Sequence, residues 1–156
     1  MCFLLYMAAN TTIPDIAWNP QRRGVHTATP TENDEAWKSH FSLPVMKYVG
    51  SSLNCGCGFR NAMFQDGGWP QIEFRDVVEL MPRDPEESAE SQRNHEELAE
   101  FLSLQLKSDS VVELYGCWDG DQSAPTAAQE DVTVEQLRDP DFQFRDRCLY
   151  VVQNAT

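Results

Sequence analysis

Positive charge is what this chain has least of. Its 156 residues hold 12 Lys and Arg against 25 Asp and Glu, a formal net charge of −13. A field of that sign repels phosphate backbones and anionic headgroups. The basic residues are not gathered locally either: the only adjacent pair is Arg22-Arg23, and there is no run of four. Composition therefore argues against nucleic acid and against a membrane surface as partners. Long apolar stretches are missing too. The opening Met1-Cys2-Phe3-Leu4-Leu5-Tyr6-Met7-Ala8-Ala9 has no basic flank and meets Asn10-Thr11-Thr12 too soon to span a bilayer or to read as an export signal. It reads instead as a buried strand.

The common catalytic signatures are absent as well. No G-x-G-x-x-G, phosphate-binding loop, H-E-x-x-H or G-x-S-x-G occurs, which removes the usual nucleotide, phosphate, zinc-protease and hydrolase motifs. Cysteines are few and odd in number: Cys2, Cys55, Cys57, Cys117 and Cys148. A chain of this length buries roughly two-thirds of its unfolded surface and needs no disulfide to fold. The set thus fits reduced thiols in a cytoplasmic setting better than a secreted framework.

What is present is the pattern of one α+β domain over residues 1–156, with a mostly antiparallel sheet of four to six strands, one long helix and short helices. Strands are expected at residues 2–9, briefly at Val25 to Thr29, at Val45 to Val49, at Val111 to Trp118 and at Arg145 to Gln153. Thr31 or Asn33 can cap a short helix through Trp37. Asp66-Gly67-Gly68 marks a turn, and Gln71 to Leu80 is either extended or part of a helix from Glu73 to Met81. The long helix runs from Pro85 to about Lys107, with Asp84 as its cap, proline in its first turn and Glu86 and Glu87 behind it. Leu98, Phe101, Leu102 and Leu106 form its packing face; the polar half before them, His95 included, is expected to be solvated. Thr133 to Gln136 has capping-box spacing and predicts a short helix before Asp139-Pro140.

The chemistry-bearing feature is Asn54-Cys55-Gly56-Cys57-Gly58. Alternating glycines allow positive φ angles and an anion nest of inward N–H groups, which would favour thiolate over thiol. The plainer reading is a glycine-rich turn with two small buried side chains. As a thiol site, Cys55 and Cys57 would be joined by Cys2; as a metal site, Cys117 and His40 are the expected further ligands, and zinc is the metal such donors take. His40 is the preferred imidazole because it stands close to the strand that leads to the cysteines. Cys117-Trp118-Asp119-Gly120-Asp121 lacks the oxygen donors of a calcium loop and reads as a turn.

A cysteine behind the initiator methionine, if that methionine is removed, resembles the opening of class II glutamine amidotransferases. The resemblance covers two residues, and those enzymes usually follow the cysteine with glycine, where this chain has Phe3. Taken together, the Met-Cys opening, the run from Gly50 to Phe59 and the run from Glu113 to Gly120 resemble those of a small family of bacterial proteins without an assigned activity. That resemblance implies a bacterial cytoplasmic protein and transfers no catalytic residue. Two functions follow as expectations. The first is a binding or self-association surface, with the acidic helix or a homodimeric sheet edge as the contact. The alternative is thiol-dependent or metal-binding chemistry centred on Cys55 and Cys57.

Overall fold

The computed structural model describes residues 2–21, 24–30, 32–61 and 84–155. The expected turn at Asp66 and the segment from Gln71 to Leu80 lie outside these residues. Among the described residues the fold is α+β, built on a six-stranded sheet in the order β2-β3-β1-β4-β6-β5. The strands are β1 (Phe3–Ala9), β2 (His26–Ala28), β3 (Val45–Gly50), β4 (Val112–Trp118), β5 (Ala128–Thr133) and β6 (Cys148–Gln153). Neighbours run antiparallel except β5 and β6, which are parallel. The sheet is therefore mixed. The parallel pair arises because β5 runs straight into a short helix, α2 (Val134–Arg138), which begins the crossover to β6. Thr133 closes β5 and caps α2: its hydroxyl accepts from Gln136 N while the Gln136 amide oxygen accepts from Thr133 N.

β1 is central because it is apolar on both sides. Phe3, Leu5 and Met7 enter the main core with Val112 and Leu114 of β4 and Tyr150 and Val152 of β6. The long helix α1 (Pro85–Gln105) covers this face through Leu98, Ala99 and Leu102. Tyr6 enters a second cluster on the opposite face with Tyr115, Cys117 and Leu149, covered by Trp37 from a 3-10 helix at Glu32–His40. Trp37 stacks on Tyr6 with centroids 4.4 Å apart. Fully burying each large apolar side chain contributes about 1.5–3 kcal/mol.

The short helix expected before β3 is present and is 3-10 in form. Two expectations need correction. The final strand begins at Cys148, not Arg145, because Arg147 is left-handed (φ 54°) and its N–H turns to Gly116 O. The polar half of α1 is not wholly solvated: Asn94 is 2% and His95 0% exposed. Asp84 caps α1 as expected, accepting from Glu86 N at 2.9 Å. Among the described residues, no helix is long and apolar enough to cross a membrane.

Candidate thiol cluster at the start of the central strand

β3 ends at Gly50, where the His26 ring lies so close that a Cβ would sit 1.8 Å from Cε1. The chain then folds back on itself. Ser51 N and its hydroxyl both donate to Cys55 O, at 2.7 and 2.6 Å, and the same hydroxyl accepts from Gly58 N at 3.0 Å. Asn54 takes the left-handed conformation that the turn requires, with φ 61°. Cys55 is extended and caps a 3-10 turn at Gly56–Gly58, its Sγ accepting from Cys57 N at 3.4 Å.

α1 holds this loop from below. Asn94 accepts from Ser52 N (3.0 Å) and donates to Ser52 Oγ (2.9 Å) and Gly58 O (3.1 Å). Glu90 accepts from the Ser52 hydroxyl at 2.9 Å, and the Trp18 indole donates to Ser52 O at 3.2 Å.

The glycines serve close approach rather than a nest. Neither Gly56 nor Gly58 has a positive φ; Gly120 is the positive-φ glycine among the described residues. A Cβ on Gly56 would stand 2.6 Å from Phe3 O, and one on Gly58 would stand 2.3 Å from Ser51 Oγ. Absent side chains let the turn lie directly against the start of β1.

That contact gathers the sulfurs. Phe3 N donates to Cys57 Sγ at 3.3 Å, and Cys2 O accepts from Asp119 N at 2.8 Å, tying the residue before β1 to the turn after β4. The sulfurs of Cys2, Cys55 and Cys57 all lie within 4.8 Å of one another, with Cys2 exposed and the other two half-buried. The expected lowering of the thiol pKa is not found at Cys55. Burial pushes Cys55 up to about 11; the Cys57 N–H opposes this, while the neighbouring Cys57 and Cys2 sulfurs add to it. The Tyr48 phenol is also raised, by burial first and then by the same three sulfurs. Cys55 thus resists negative charge, and a cation seated among the sulfurs would reverse that balance.

The two other expected ligands are placed elsewhere. The His40 ring stacks on Tyr115 at 4.0 Å, with Nδ1 2.7 Å from Thr126 Oγ1 and Nε2 donating to Gln122 O at 2.9 Å. Cys117 is buried in the cluster beneath Trp37, and burial followed by Asp146 pushes its thiol up to about 12. Cys148 is buried in the main core. The structure therefore joins Cys2 to the Cys55–Cys57 pair and leaves Cys117 and His40 out.

His95 is a strut. Its Nε2 accepts from Arg60 N and its Nδ1–H donates to Leu137 O, both at 2.9 Å, and burial, then the Arg60 charge, lowers its pKa to about 4. The signal for this was in the period of α1: one turn before Leu98 and Ala99 stand Asn94 and His95, so the packing stripe extends into the polar half.

The chain matches no protein-family model, no curated protein and no solved structure.

Proposed function

We propose that this protein binds a soft metal ion, zinc foremost, through Cys2, Cys55 and Cys57. The observation that carries this reading is the convergence of three sulfurs, from two separate parts of the chain, within 4.8 Å. Sulfurs sharing one zinc at about 2.3 Å each stand roughly 4 Å apart in a tetrahedral shell, a separation that small side-chain rotations reach from here. Backbone N–H groups directed at Cys55 and Cys57 are the kind of outer contact that orients thiolate ligands. This geometry is more specific than the surface reading. The large exposed apolar side chains among the described residues, Ile16, Leu53 and Leu104, belong to three separate segments.

Metal content and Co(II) titration of anaerobically purified protein test the proposal. Wild type should bind one equivalent with sulfur-to-cobalt absorption. Cys55→Ser and Cys57→Ser should each weaken binding by more than the 10–100-fold that an outer-contact change costs. Wild-type protein that neither retains zinc nor binds cobalt rejects the reading. Because bound sulfurs must shed their protons, affinity should rise with pH, by about tenfold per unit for each proton released.

A further inference from the structure

We infer that the metal site is an open one: three sulfurs from this chain hold the ion, and its fourth position takes an exogenous small thiol. The inference rests on the metal reading and concerns what completes the shell. Structural zinc sites close with four nitrogen or sulfur ligands, whereas sites that bind or transform a ligand keep three and leave one position free.

The donor inventory decides between them. The 156 residues contain five cysteines and three histidines, and every one is among the described residues. Cys2, Cys55 and Cys57 form the cluster. Cys117 and Cys148 are buried on opposite faces of the sheet. His95 has both ring nitrogens engaged by backbone groups, and His40 has its two on Thr126 and Gln122. His26 keeps a buried Nδ1 without a hydrogen-bond partner, but its ring is packed over Gly50, outside the cluster. Among the described residues, then, no fourth thiolate or imidazole joins the cluster.

The cluster is also reachable. Cys2 is exposed, while Cys57 packs against the core, so the approach is from the Cys2 side. Three sulfurs make a soft coordination environment, and a fourth soft donor completes the four-sulfur shell that zinc favours. An incoming thiol loses its proton to solvent as its sulfur bonds to the metal and displaces a solvent molecule. A second copy of the chain supplies no accessible thiol outside its own cluster.

The test uses wild-type protein loaded with one equivalent of Co(II) and titrated anaerobically with 2-mercaptoethanol. Sulfur-to-cobalt absorption should rise by about a third, from three sulfurs to four, and saturate at one thiol per cobalt. Equilibrium dialysis should show the cobalt still bound and light scattering an unchanged mass. An unchanged spectrum overturns the inference, because an oxygen donor of the chain then closes the shell. Loss of cobalt to the thiol also overturns it, since a ternary complex is required. A four-sulfur spectrum before any thiol is added, with doubled mass, replaces it with a site shared between copies. Absence of sulfur-to-cobalt absorption at the outset fails the metal reading itself and is thereby distinguished from these outcomes.

Discussion

His95 and the thiol cluster are both polar groups built into apolar surroundings, and they stand at opposite ends of hydrogen-bond satisfaction. The imidazole has one donor and one acceptor, and backbone partners use both. The buried carboxylate of Asp109 is similar, accepting from Asn10 N, Thr11 N, the Thr11 hydroxyl and the Gln105 amide. Such groups are complete, and they tie α1 to distant segments. Two of the three sulfurs, by contrast, receive one weak N–H contact each, and burial with the two neighbouring sulfurs disfavours ionisation of Cys55. A saturated polar group is structural; a converging set short of partners is the candidate site on which the proposal rests.

Removing the saturated group should have the largest effect on folding. His95→Ala should cost about 3–5 kcal/mol in urea unfolding, because it leaves a ring-sized cavity and strands Arg60 N and Leu137 O. The same strut sets a pH dependence. The unfolded chain protonates this histidine below about 6.5, and the folded chain only near 4. Its contribution is thus whole above 6.5 and lost as pH falls to 4, by about 3 kcal/mol. His95→Gln, measured over the same window, should lack that part of the slope.

Cys57→Ser should reverse the pattern. Metal affinity should fall by more than about 100-fold, about 2.7 kcal/mol, while metal-free stability changes by under about 1 kcal/mol. If the variant lost stability as His95→Ala does, the contrast between the two regions would collapse. Gly56→Ala sharpens it from the backbone side: its Cβ would press on Phe3 O, which cannot yield without moving β1. A loss of about 1–3 kcal/mol, with weakened cobalt binding, is expected. Smallest is Asn54→Ala, which should cost about 1 kcal/mol for its left-handed backbone; Asn54→Gly should be close to neutral.

The elements visible in the sequence were those with local causes. The continuous apolar run of β1, the Asp84-Pro85 start of α1 and the Thr133 capping box each depend on residues a turn or less apart. β5 was not visible: Ala128-Gln129-Glu130-Asp131 has neither alternation nor β-branched residues, and it becomes a strand because β6 offers it an edge. His95 was misjudged for a related reason, since Arg60 and Leu137 come from elsewhere in the chain. At the site, Cys55, Cys57 and Cys2 were all identifiable as thiol candidates. Their assembly with one another, rather than with Cys117 and His40, depends on Cys57 Sγ meeting Phe3 N, a contact between residues 54 positions apart. The nest was misread because glycine has two uses, positive φ and close approach, and only the backbone trace tells which applies.

The central place of β1 has a consequence for how the protein is made. Its partners are β3, beginning at Val45, and β4, beginning at Val112. At about 5–20 residues per second, synthesis delivers β4 roughly 5–20 s after β1. Through that interval the most apolar strand of the sheet presents an unpaired edge, a template for any other extended chain. In the finished molecule that edge is sealed from both sides, so the moment of greatest exposure to misassembly comes on the ribosome rather than in the native state.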